Sequence, residues 1–111
     1  MNKILMKNIE KATVVELKQL VQYQPGQIVS KTITQNRNVS LTLFAFDQNE
    51  EISSHASHGD AMVSVLDGSA RITVGEGQFV VKAGETIIMP AEVPHAVFAL
   101  EKMKFMLTVV F

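Results

Sequence analysis

The chain has 111 residues, enough for one domain that buries a core without disulfides or a structural metal. Its 47% hydrophobic and 19% charged residues, with a net charge of -1, are typical of a compact folded protein and exclude a disordered one. Ten Lys and Arg are spread along the chain against eleven Asp and Glu, which argues against nucleic acid as a partner.

The sequence contains no cysteine, which excludes disulfides, thiolate metal ligands and a cysteine nucleophile. The opening segment, "MNKILMKNIEK", holds an apolar run of only three residues, too short for a signal peptide or a membrane span. We therefore expect a single domain over residues 1–111 that is cytoplasmic and has no membrane partner.

The first apolar segment is "VVELKQLVQY", residues 14–23. Its apolar residues fit neither the period of a strand nor that of a helix, and we predict an initial strand followed by one helical turn. From residue 27 onward, β-branched and aromatic runs alternate with Gly, Asn, Asp and Pro, as in strands separated by turns. The predicted strands cover residues 27–33, 39–46, 61–66, 70–74, 78–83, 85–90, 95–100 and 104–111.

The number and spacing of these strands predict an all-β sandwich or barrel. Asp67-Gly68, between two alternating runs, is the strongest hairpin signal in the chain. The last two predicted strands are apolar on both faces, since Thr108 alone is polar within residues 105–111. Because a small barrel has only one interior, we expect a second copy to cover the outer face and form a homodimer.

Two of the three histidines, His55 and His58, lie in the polar stretch "EISSHASHGD". In an extended strand they would point to opposite faces with their backbones about 10 Å apart, which prevents joint binding of one ion. A turn at Gly59 would bring His58 or Asp60 back toward His55. The third histidine, His95, follows two prolines that favour extended backbone and direct the next strand inward.

Two segments, "NEEISSHASHGDAMVSVLDG" (residues 49–68) and "GETIIMPAEVPH" (residues 84–95), resemble the two motifs of the cupin superfamily. The resemblance covers about residues 39–111 and implies a cupin-type jelly-roll β-barrel. In the second motif Gly84, Pro90 and His95 occupy their positions, whereas Glu92 and Ala99 stand where the motif has glycine and asparagine.

The first motif departs further from the family pattern. Asn49 replaces the opening glycine, a change that the left-handed backbone conformation tolerates. His55 falls on the first histidine position, but Ser57 and Ala61 stand where the motif has its second histidine and its glutamate. Two of the four usual metal ligands are therefore absent from their positions.

The resemblance implies a pocket that binds a small molecule and a divalent metal, with His55 and His95 as ligands. His58 is the third candidate ligand, through the turn at Gly59. Zinc, iron, manganese and nickel all accept imidazole donors. Oxygenase, isomerase and decarboxylase activities are all compatible with the family, and no catalytic residue is assigned. Two alternatives stay open, namely a metal-free module that binds a small ligand and a catalytically silent dimeric barrel.

Overall fold

The computed structural model describes residues 4–111, so residues 1–3 of the opening segment lie outside the described residues. The described chain is almost entirely β-structure. A 3-10 turn covers Leu17–Gln19, and the strands are β1 (Ile28–Gln35), β2 (Val39–Phe46), β3 (Glu51–His55), β4 (Asp60–Asp67), β5 (Ser69–Val74), β6 (Gly77–Lys82), β7 (Thr86–Met89), β8 (His95–Ala99) and β9 (Met103–Val110). Within residues 4–111, no helix has the length and apolar character needed to cross a membrane.

The strands form two antiparallel sheets that pack face to face. One has the order β1-β2-β9-β4-β7 and the other the order β3-β8-β5-β6. Each sheet keeps free edges, because no strand of one sheet is paired with a strand of the other in the described chain. The predicted all-β jelly roll is confirmed, in the form of a two-sheet sandwich that does not close into a continuous barrel.

The core lies between the sheets and follows from the alternation of side chains along each strand. Three phenylalanines contribute much of its volume: the Phe44 and Phe105 rings stack with centroids 5.0 Å apart, and Phe46 meets Phe105 edge-on at 5.3 Å. The buried members of this core are Phe46, Ala61, Val63, Val65, Ala70, Ile72, Val81, Met89, Val97, Ala99, Met103, Phe105 and Val109.

All eight predicted strands are present, and the structure adds a ninth, β3. Its sequence, "EISSH", was not predicted as a strand because it has a single β-branched apolar residue, Ile52. The predicted strand at the start of residues 14–23 is wrong, since that segment has no strand and contains only the 3-10 turn Leu17–Gln19. Its Leu17, Leu20 and Val21 pack on a sheet face and do not pair with a sheet edge.

The predicted hairpin at Asp67-Gly68 is also wrong, because β4 and β5 belong to different sheets. The chain does turn sharply there, with Gly68 at a φ of +73°. A side chain at this position would clash with the carbonyl oxygen of Lys102. The glycine therefore marks a corner between two sheets, a role that its local sequence does not distinguish from a hairpin turn.

The N-terminal segment, residues 4–23, covers part of the outer face of the five-stranded sheet. A bulge in β1 between Thr32 and Thr34 leaves Ile33 buried beneath this segment. The backbone N–H of Lys7 donates to the Ile33 carbonyl at 2.7 Å, and the Asn8 side-chain amide donates to the Thr32 carbonyl at 2.8 Å. Part of the apolar outer face that we expected a second copy to cover is thus covered by the chain itself.

The end of this segment is attached to the sandwich by Tyr23. Its hydroxyl donates to the Asp67 carboxylate at 2.5 Å, and the Lys104 ammonium lies 4.8 Å from the centre of its ring. The same ammonium donates to the Lys18 carbonyl at 2.6 Å, so this buried lysine has a hydrogen-bond partner. Burial, and next the bond to Asp67, raise the pKa of Tyr23, so the hydroxyl keeps its proton at neutral pH.

Tyr23→Phe is expected to lower the free energy of unfolding by about 1–2 kcal/mol, because Asp67 loses a donor in a half-buried position. Urea denaturation monitored by circular dichroism measures the change. Val14→Ala is the control, since Val14 lies in the same segment and is fully exposed. An unchanged free energy of unfolding in Tyr23→Phe would show that this attachment does not stabilise the fold.

Candidate functional site

The candidate site lies where β3 ends and β8 begins. His55 is the last residue of β3, His95 is the first of β8, and the two are paired across the ladder. Their Nε2 atoms are 3.1 Å apart, with ring centroids 4.3 Å apart and ring planes inclined by 69°. The ring centroids are only slightly farther apart than the two Nε2 atoms. The rings therefore lie side by side, and their Nε2 lone pairs do not point directly at each other.

The other nitrogen of each ring lies near a backbone carbonyl. His95 Nδ1 is 3.2 Å from the Val93 oxygen, and His55 Nδ1 is 3.2 Å from the Ser53 oxygen. Because a carbonyl only accepts hydrogen bonds, we assign the single N–H of each neutral ring to Nδ1, which makes each Nε2 an acceptor. In the alternative tautomer, an Nε2–H of one ring would donate to the Nε2 of the other.

His95 is the buried member of the pair, with 3% of its surface exposed, whereas His55 is exposed. Burial, and next the neighbouring His55, lower the pKa of His95 below its usual value of 6.5, although its bond to the Val93 carbonyl acts in the opposite direction. His95 is therefore neutral at pH 7. Its Nε2 presents a lone pair directly beside the Nε2 of His55.

Two acceptors 3.1 Å apart repel each other unless a positive group lies between or in front of them. A proton, a ligand N–H or O–H, or a metal ion would each satisfy the pair. Histidines that bind metals usually donate their second ring N–H to a carbonyl or a carboxylate, which fixes the tautomer and the ring orientation. Both His55 and His95 have this second interaction.

The two rings line a small cavity between the sheets, with a volume of about 140 Å³. The two imidazoles supply its polar groups, and the other lining side chains are apolar: Phe44, Ile52, Met89, Val97, Phe105 and Leu107. A site of this kind suits a ligand with an apolar body and one polar end.

His58 is not grouped with the other two histidines. Its Nδ1 lies 2.8 Å from the Glu92 carboxylate, and its side chain is 92% exposed. The turn at Ser57–Gly59 does not bring Asp60 to the pair either, because its carboxylate accepts the Ala91 N–H at 2.8 Å. Within residues 4–111, no three His, Asp or Glu side chains are arranged to hold one metal ion.

The positions that depart from the family motifs have clear structural roles. Ala61, which has no ligating atom, is buried in β4 opposite Met89, and the Ser57 hydroxyl oxygen accepts the Gly59 N–H. Asn49 has a φ of +72°, as expected for a residue in place of glycine. Glu92, also in place of glycine, has a φ of +67°.

The sequence singled out His55 and His95 as candidate residues, but it did not reveal the carbonyl groups to which their Nδ1 atoms bond. The Ser53 and Val93 carbonyls are backbone atoms, so no residue type marks them. Glu92 as the partner of His58 was missed as well, although its charge and its place in a glycine position were the available signals.

Comparison with known proteins agrees with this architecture. The cupin domain family model matches residues 42–111, and no curated protein matches the chain. A structure of a conserved protein of unknown function from Streptococcus pyogenes is 42% identical, with a TM-score of 0.93, over 96% of this chain and 93% of that one.

Two further structures are similar. A cupin 2 conserved barrel domain protein from Leptotrichia buccalis is 38% identical over 85% of this chain and 46% of its own, with a TM-score of 0.81. A cupin superfamily protein from Desulfitobacterium hafniense has a TM-score of 0.91 over 96% of this chain and 97% of its own; at 24% identity it shows the fold alone. Because the family model matches more than half of the sequence, the chain belongs to the cupin family.

Proposed function

We propose that this cupin binds a small molecule in the cavity between its sheets, at a divalent ion held weakly by His55 and His95. The observation that carries the proposal is the pair of Nε2 acceptors 3.1 Å apart, each with its Nδ1 bonded to a carbonyl. Imidazole nitrogens lie about 2.0–2.1 Å from zinc, so two nitrogens of a tetrahedral site are about 3.3–3.4 Å apart. The observed separation of 3.1 Å is slightly shorter, so a small outward movement of the rings would accommodate an ion.

The residues fit the type of donor that zinc, iron, manganese and nickel accept, but they supply only two donors. The ion would therefore bind weakly and take its other ligands from water or from the small molecule. When bound, it would polarise an oxygen atom of that molecule as a Lewis acid. The protein itself orients both imidazoles through the Ser53 and Val93 carbonyls and lines the rest of the cavity with apolar side chains.

A metal-free pocket is the second candidate, and the small number of donors favours it. In that case the Nε2 atoms accept a hydrogen bond from the ligand itself. Neutral imidazole acceptors favour an alcohol, a phenol or an ammonium group over a carboxylate, whose oxygens they would repel. The apolar walls, with Phe44 and Phe105 among them, would surround the body of that ligand.

The domain and assembly that we propose are those expected from the sequence: one domain over residues 1–111, forming a cytoplasmic homodimer. Exposed apolar side chains outside the region covered by the N-terminal segment support association. Ile88 and Val110 are 50% and 58% exposed, and Phe79 and Val80 are 47% and 56% exposed. A second copy would remove such surfaces from water.

Untagged protein, stripped with a chelator and titrated with zinc in a calorimeter, is expected to bind one ion per chain. His95→Ala should lose this binding, because one imidazole does not hold the ion. Val14→Ala, at a fully exposed position outside the cavity, is the control and should bind one ion with unchanged affinity. His58→Ala should keep the one-ion stoichiometry, since His58 bonds to Glu92 and not to the pair. Absence of zinc binding by the parent protein, or unchanged binding by His95→Ala, would contradict the metal proposal.

Metal-free protein should bind phenol in preference to toluene, because phenol adds an O–H donor to a ring of similar size. The cavity volume is close to that of an engineered apolar cavity of about 150 Å³ that takes benzene in another protein. Chemical-shift changes of the His95 ring on titration measure the binding, and benzoate tests the expected rejection of a carboxylate. Equal binding of phenol and toluene would show that the imidazoles take no part in recognition.

A further inference from the structure

The two loops beside the histidine pair both cross between the sheets at the same end of the sandwich. Residues 56–59 lead from His55 at the end of β3 to β4, and residues 90–94 lead from β7 to His95 at the start of β8. Each loop therefore adjoins one of the two imidazoles. A shift of one loop relative to the other would change the separation of the Nε2 atoms.

Two contacts join these loops, and a third joins the loop of residues 90–94 to Asp60, the first residue of β4; each is 2.8 Å long. His58 Nδ1 meets the Glu92 carboxylate, the Glu92 backbone N–H donates to the Ser57 carbonyl, and the Ala91 N–H donates to the Asp60 carboxylate. Two of the three involve Glu92. We call this set of contacts the loop clamp.

One of the two loops is also held from the other side. Gly59 is buried, and a Cβ atom added to it would clash with the Val110 carbonyl oxygen at the end of β9. The loop of residues 56–59 thus has a fixed support in the five-stranded sheet. Through the clamp, this support extends to the loop that leads to His95.

Glu92 is an unusual residue for its position if stability alone is considered. Its φ of +67° is a conformation that strains any residue with a Cβ atom and that glycine adopts freely. Its side chain is 66% exposed, so it gains little from packing, and an exposed polar contact such as Glu92–His58 contributes little to stability. The strain is therefore not offset by an evident stabilising contact of the side chain.

We propose that Glu92, acting with His58, is a positioning residue that fixes the His55 and His95 rings at their mutual separation. The inference rests on the proposed function, because a fixed separation of the two rings matters only if both rings hold one ion or ligand. Glu92 acts through the clamp and does not itself contact the bound group. Glu92 thus improves binding by the two rings, and the left-handed backbone strain at Glu92 is the cost.

The test is Glu92→Gly, measured for both thermal stability and zinc affinity. Glycine relieves the left-handed strain, so the midpoint of thermal unfolding should be unchanged or higher. Zinc affinity should nevertheless fall about 10-fold, because the imidazoles are less well oriented. A residue with a purely structural role would shift both quantities in the same direction.

Three comparison variants sharpen this test. Glu92→Gln keeps an acceptor for His58 and should restore most of the affinity, whereas His58→Ala should weaken zinc binding while still binding one ion per chain. Glu10→Gly makes the same substitution at an exposed position of the N-terminal segment, on the outer face of the five-stranded sheet, and should leave the affinity unchanged. Equal zinc affinity of Glu92→Gly and the parent protein would overturn the inference and leave the proposed function intact.

A second measurement does not depend on metal. In the metal-free protein, the ¹⁵N resonances of the His55 and His95 rings should differ between Glu92→Gly and the parent, because the relation between the rings changes. If the parent binds no zinc, the metal proposal fails, and these resonances alone decide the inference. Ring resonances that do not move in Glu92→Gly would overturn it.

Discussion

The chemistry of the site depends on two hydrogen bonds to backbone carbonyls. The Ser53 and Val93 oxygens each accept from an Nδ1, which leaves the two Nε2 atoms as acceptors 3.1 Å apart. Because β3 and β8 are antiparallel and place His55 opposite His95, residues forty positions apart meet at one point. The strand register brings the rings together, and the carbonyls determine what they offer to a ligand.

The rest of the fold keeps this arrangement in a confined space. The aromatic cluster of Phe44, Phe46 and Phe105 fills the interior near the site, and the small cavity that remains holds the buried His95 ring. Burial makes protonation of His95 less favourable, so the ring stays neutral and keeps its lone pair. An apolar environment thus maintains the acceptor on which both candidate functions depend.

The sequence allowed much of the fold to be predicted, because alternation of apolar residues is a local signal. It failed where structure depends on distant partners. β3 has little strand propensity and is held through β8, while Asp67-Gly68 leads between sheets and does not form a hairpin. The segment at Leu17–Gln19 is irregular because it packs on a sheet whose outer face the sequence could not reveal.

For the site, the motif resemblance and the prolines before His95 singled out His55 and His95, whose rings line one cavity. The contribution of His58 to a metal site stays a prediction. In the structure, the His58 ring contacts the Glu92 carboxylate. The most direct test of the account is a long-range ¹H–¹⁵N NMR spectrum of the metal-free protein at pH 8. The account predicts that His95 carries its hydrogen on Nδ1 and has an unprotonated Nε2. A hydrogen on Nε2 of His95 would contradict it.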